Sequence, residues 1–144
     1  AHEMTYREGV QFDNLSGENG YSPWKAYGQS KLCNLLFARH LATCLPLPGQ
    51  TANAIHPGVI ATSLMRNMNP FVTVAGRLVS PIFMKTIAQG ASTQTYVATH
   101  PSLSGVSGKY FSNCNEKHSS HYGRDSILAS ALWEKTQEIV EGFD

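Results

Sequence analysis

The chain has 144 residues, 42% of them hydrophobic and 15% charged, which suits one globular unit with a buried core or part of a larger one. Its formal net charge is +1 and its lysines and arginines are scattered singly, so no basic stripe marks a nucleic-acid partner. Cys33, Cys44 and Cys114 form no C-x-x-C pair and no even framework, which fits free thiols in a reducing compartment, cytoplasmic or organellar.

The opening Ala1-His2-Glu3-Met4-Thr5-Tyr6-Arg7-Glu8 has no apolar core and does not read as a signal peptide. Residues 1–21 are predicted to be irregular, with a brief extended piece at Val10-Gln11-Phe12 and a turn around Gly17, Asn19 and Gly20. Ser22-Pro23 opens a helix, since serine can cap it and proline is tolerated in the first turn. That helix is predicted from about Trp24 to Ala42, where Leu32, Leu35, Leu36, Arg39 and Leu41 recur at helical spacing. Pro46, Pro48 and Gly49 break the pattern, and Gln50 to Ile55 reads as a short buried strand that Pro57-Gly58 ends. A helical region follows near Val72 to Met84. The apolar run from Phe71 to Met84 holds Arg77 and Pro81 and is too short for a membrane span. Gln89 to Thr99 is predicted as a further helix, closed by His100-Pro101, and Lys109-Tyr110-Phe111 as a brief strand. Residues 113–124 read as a polar loop. The last helix starts at Asp125 or Ser126, carries Leu128, Leu132, Thr136 and Ile139 on one side, and ends at Gly142. The pattern is that of an α/β domain, but two strands make no stable open sheet, so further strands are expected upstream or in a partner.

The chemistry concentrates in Tyr27-Gly28-Gln29-Ser30-Lys31 and in His56-Pro57-Gly58-Val59-Ile60-Ala61-Thr62. Residues four apart on a helix share a face, so Tyr27 and Lys31 are predicted to point the same way. A free phenol gives up its proton only near pH 10, and a neighbouring cation favours the phenolate. Such a pair can pass a proton to or from a substrate oxygen while hydride moves at the adjacent carbon. Taken alone, the Tyr27–Lys31 pair is equally a solvated helix pair, Pro57-Gly58 a plain turn and Thr62 a helix cap.

Together, in order and spacing, these segments resemble the short-chain dehydrogenase/reductase family over nearly the whole chain. Tyr27-Gly28-Gln29-Ser30-Lys31 followed by Asn34 is similar to its active-site helix, and Pro57-Gly58 to Thr62 to its P-G-x-x-x-T element. Gly105-Val106-Ser107-Gly108-Lys109-Tyr110-Phe111 resembles its final strand. The His56-Pro57-Gly58 turn and the Gln89-Gly90-Ala91 helix start look like the branch of retinol dehydrogenase-like and WW-domain oxidoreductase-like proteins, which includes relatives of a chloroplast translocon component.

The resemblance implies a Rossmann-like, doubly wound parallel sheet of which residues 1–144 form the C-terminal part, from the active-site helix onward. It implies NADP, or NAD, as cofactor. Tyr27 would be the proton donor or acceptor, and Lys31 would lower its pKa and hold the nicotinamide ribose. Pro57, Gly58 and Ile60 would flank the nicotinamide, and Thr62 would bind its carboxamide or a cofactor phosphate. No T-G-x-x-x-G-x-G loop, N-N-A-G strand or carbonyl-polarising serine matches the family pattern, so the nucleotide-binding half is expected upstream of Ala1. Ser16 and Ser22 are discounted as substitutes, one lying in a turn and the other at a cap.

The expected activity is hydride transfer on a small, lipophilic alcohol or carbonyl. Two alternatives stand beside it: a fragment or partner-binding subunit without turnover of its own, and an epimerase or dehydratase of the same fold. The family also allows a homodimer through the Trp24 helix, although core burial explains its apolar side equally well. Met65, Met68 and the Phe71–Met84 segment would serve as a lid over a lipophilic substrate or as a packed helix. His56 is read as structural or as lining the pocket. His118 and His121 are read as solvated loop residues, with no metal site expected.

Overall fold

In a computed structural model the described residues are 8–60 and 85–142. Thr62, Met65, Met68, the Val72–Met84 helix and the opening residues through Arg7 lie outside them. The described elements are α1 (Pro23–Cys44), β1 (Ala54–His56), α2 (Ile87–Thr99), β2 (Tyr110–Ser112), β3 (Asn115–Glu116) and α3 (Ser126–Glu141). Short 3-10 turns cover Phe12–Asn14, Pro101–Leu103 and Tyr122–Arg124.

Helix α1 starts on Pro23, whose missing N–H costs nothing in a first turn. Ser22 holds the cap position by its backbone, with Ala26 N donating to Ser22 O at 2.9 Å, and its side chain makes no capping bond. The helix runs two residues past its predicted end, so Cys44 lies on it. Helix α2 starts earlier than predicted. Thr86 Oγ1 accepts from Gln89 N at 3.2 Å and Gln89 Oε1 accepts from Thr86 N at 2.9 Å. This capping box, spelled T-x-x-Q in the sequence, pins the start at Ile87. Asp125 caps α3 by accepting from Ile127 N at 2.9 Å and Leu128 N at 3.0 Å.

The sheet among the described residues has three strands in the order β1-β2-β3. β1 and β2 are parallel with Ile55 opposite Phe111, and β2 and β3 are antiparallel with Ser112 opposite Asn115. β3 falls in the segment predicted to be loop. Asn113 and Cys114 stand between Ser112 and Asn115 with φ of 54° and 56°, the left-handed pair that a two-residue hairpin requires. Asparagine tolerates that conformation and cysteine rarely takes it, so the hairpin carries only half its usual sequence signal. Val10-Gln11-Phe12 likewise differs from its predicted extension, its last residue opening the 3-10 turn.

β1 starts later than the Gln50–Ile55 prediction, and before it side-chain bonds share the pairing with one backbone bond, Gly108 N donating to Ala52 O at 2.8 Å. Asn53 Nδ2 donates to Val106 O at 2.7 Å, Asn53 Oδ1 accepts from Lys109 N at 2.9 Å, and Ala52 N donates to Ser107 Oγ at 3.0 Å. Ala54 N then takes up the backbone ladder with Lys109 O at 2.9 Å.

Two apolar clusters hold the layers together. Leu32 and Leu36 of α1 meet Ala129 and Leu132 of α3, with Phe12, Cys33 and Leu128 packed around them. Leu35 of α1 meets Ala54 of β1 and Tyr110 of β2, with Ala38 alongside. Each fully buried leucine is worth about 1.5–3 kcal/mol. Arg39 and Leu41 of the predicted apolar side are not fully buried, and Ile139 is exposed at the far end of α3. The second cluster matters most for function, because it fixes how far α1 stands from the end of β1.

Candidate active site

At 100° per residue, Tyr27, Lys31, Asn34 and Ala38 form one stripe along α1. Leu35 lies on the neighbouring inward face, so its packing against Ala54 and Tyr110 turns the stripe toward β1. The stripe and residues 53–58 enclose an open groove of about 360 Å³, lined by Tyr27, Lys31, Asn34, Ala38 and the run from Asn53 to Gly58. Residues 27 and 58, remote in the sequence, thus share one wall-to-wall space at the C-terminal end of a parallel strand, where open α/β sheets take their ligands.

Tyr27 is half-exposed, and Lys31 Nζ stands 5.1 Å from the centre of its ring. A cation over an aromatic face is held by about 0.5–1 kcal/mol at an exposed site, which keeps the ammonium beside the phenol. Ser30 Oγ donates to Tyr27 O at 2.7 Å, so the serine inside the motif bonds backbone. His56 ends β1 and lines the groove. Pro57 breaks the strand, and Gly58 follows with φ of 92°, a left-handed conformation open to glycine and strained for side-chain-bearing residues.

Ile60 does not line the groove. It forms a parallel bridge with Lys85, beside Lys85 N donating to Val59 O at 2.8 Å. Its side chain covers Gly90 of α2, where an added β-carbon would overlap Ile60 Cδ1. The turn from Pro57 to Ile60 therefore rests on the first turn of α2. Lys85 is a neighbour that sequence reasoning missed: its stem lies against Gly58 and Lys85 Nζ donates to Asn113 Oδ1. No local signal marks it, since its partners lie 27 and 28 positions away.

A larger cavity, about 620 Å³, lies on another face of α1, between residues 11–22 and the side carrying Lys25, Gln29 and Cys33. Gln11 N donates to Gln29 Oε1 at 2.9 Å and ties that loop to the helix. Tyr27, Lys31, Pro57, Gly58 and Ile60 do not line it. Burial pushes the Cys33 thiol up to about 11, against a smaller opposing effect of a backbone hydrogen bond. His118 is exposed, and the His121 and Tyr122 rings meet at 3.9 Å, tilted by 37°. Among the described residues no helix is long and apolar enough to cross a membrane.

No protein-family model matches the chain. Individual proteins do. The chain is 43% identical over 145 residues to the Brassica napus protein "Short-chain dehydrogenase TIC 32 B, chloroplastic", covering 99% of this chain and 45% of that protein. It is 38% identical over 133 residues to human "Retinol dehydrogenase 14", covering 91% of this chain and 40% of that protein. Over 131 residues it is 40% identical to mouse "Retinol dehydrogenase 12", covering 91% and 41%. It spans less than half the length of these curated relatives.

Proposed function

We propose, for a chain that is homologous to short-chain dehydrogenases and matches their C-terminal part, that the complete protein is an NAD(P)-dependent oxidoreductase. In this reading residues 1–144 complete a Rossmann-like, doubly wound sheet whose nucleotide-binding half lies upstream. The observation that carries it is the shared groove: Tyr27 and Lys31 on one wall, Pro57 and Gly58 on the other.

The groove fits a nicotinamide ring and its ribose. It is open to solvent, and it offers the phenol, the ammonium and the Asn34 amide. Lys31 and Tyr27 would hold the ribose hydroxyls, and Pro57 and Gly58 would flank the ring. Ile60 would set that turn from below, and Thr62 would contact the carboxamide or a phosphate. When bound, the nucleotide supplies hydride to the carbonyl carbon or accepts it from the alcohol carbon.

The chain's own part is the proton. In reduction the Tyr27 O–H bond breaks as its proton passes to the carbonyl oxygen; in oxidation the phenolate oxygen takes the hydroxyl proton back. The Lys31 ammonium, held beside the ring, offsets the negative charge that builds on the phenol oxygen. The phenol's half-exposure leaves it reachable by substrate. Two of the relatives carry retinol, a lipophilic alcohol, in their names, which supports a small lipophilic alcohol or carbonyl as the substrate class.

The test is Tyr27→Phe in the full-length protein. We expect kcat to fall by about a hundred-fold or more, the scale of a lost general acid, while the cofactor still binds, weakened by no more than about ten-fold for the one ribose hydrogen bond lost. Turnover retained at the wild-type rate removes Tyr27 from the mechanism.

A further inference from the structure

We propose that Lys85 is a positioning residue for the cofactor turn, acting through its stem on Gly58 and its ammonium on Asn113. This rests on the oxidoreductase reading above and adds to it a residue outside the Tyr27–Lys31 and Pro57–Thr62 elements.

Three contacts converge on Lys85. Its backbone N–H donates to Val59 O at 2.8 Å, fastening the turn's exit. Its side chain fills the space beside Gly58: an added β-carbon there would stand 2.7 Å from Lys85 Cδ and 2.8 Å from Cε. The stem thus occupies the space beside the turn that any larger residue at 58 would need. Its Nζ donates to Asn113 Oδ1, on the hairpin between β2 and β3.

The acceptor is itself held. Cys114 N donates to Thr93 Oγ1 at 3.2 Å, and Thr93 is fully buried on α2. Thr86, the residue after Lys85, caps the same helix. The path therefore closes on itself, from α2 through Lys85 to Asn113, and through Cys114 and Thr93 back to α2. Gly58 sits under the lysine stem that spans this loop. The Lys85–Asn113 bond is solvent-exposed, so it contributes little to global stability. Its effect is geometric: it selects one lysine rotamer, and that rotamer bounds the turn.

The test uses the full-length protein, titrated with NADPH and with NADH by nucleotide fluorescence. Lys85→Met keeps most of the stem and removes the ammonium. We expect it to weaken cofactor binding about five-fold, with kcat at saturating cofactor and the thermal midpoint near wild type. Asn113→Gly, which removes the side chain and keeps the left-handed backbone, should match it, and the double variant should be no worse than either single one, because both remove one contact. Lys85→Arg should restore part of the affinity. Wild-type affinity in Lys85→Met, or additive losses in the double variant, overturns the assignment. Should wild-type protein bind neither nucleotide, the oxidoreductase reading falls and this inference falls with it; wild-type binding with an unaffected Lys85→Met fells the inference alone.

Discussion

The contact between Ile60 and Gly90 makes a prediction whose sign depends on its background. Alanine in place of Gly90 would bring a β-carbon onto Ile60 Cδ1 and within 2.8 Å of Cγ1. Against that, alanine is the better helix former by up to about 0.8 kcal/mol inside a helix. Overpacking costs typically about 1–3 kcal/mol, since the isoleucine must leave its rotamer or the turn must move. Gly90→Ala alone should therefore destabilise by about 1 kcal/mol. In an Ile60→Ala background the obstacle is gone and only helix propensity remains, so the same change should stabilise by up to about 0.8 kcal/mol. The coupling energy of the cycle is then roughly 2 kcal/mol. Urea unfolding of the four proteins, with unchanged slope, measures it. Additivity within about 0.3–0.5 kcal/mol would refute the account of the turn resting on α2. A second readout ties packing to function: Gly90→Ala should raise the cofactor dissociation constant, because the displaced side chain belongs to the turn proposed to flank the nicotinamide.

Two further outcomes follow from single contacts. Asp125→Ala removes the acceptor for Ile127 N and Leu128 N and should cost about 1 kcal/mol of stability, whereas Asp125→Asn, which keeps an acceptor oxygen, should cost less. The Cys33 thiol, raised from 9.0 to about 11, should alkylate about a hundred-fold more slowly at pH 8 in the native protein than in denaturant, on thiolate fraction alone. Mass spectrometry of iodoacetamide-treated protein reads it, and equal rates in the two states would show that the thiol is not desolvated. The sign for stability is set by the same shift: the folded state prefers the thiol, so Cys33 supports folding below pH 9 and loses that support as pH rises toward 11.

Much of the site is written locally. A phenol and an ammonium four apart in a helix must share a face, and Pro57-Gly58 after a short strand segment ends it, whatever the rest of the chain does. These are short-range consequences of backbone geometry, which is why helix α1, strand β1 and the turn between β1 and Ile60 are legible in the amino acids. The T-x-x-Q cap of α2 is equally local, though the helix reads without it from Gln89.

Only the tertiary structure decides which of these pieces meet. Leu35 is one more apolar residue in the sequence; its packing on Ala54 and Tyr110 is what places the Tyr27 stripe opposite Gly58. The Asn113–Cys114 hairpin escaped sequence reading because cysteine at a left-handed position is held by Thr93, 21 residues away, and not by its own preference. Lys85 looks like any surface lysine until Gly58 and Asn113 are brought beside it. Helical phase and turn chemistry act over a few bonds and survive in any context, whereas a groove needs side chains distant in sequence to exclude water from one another, and that happens only when the layers close.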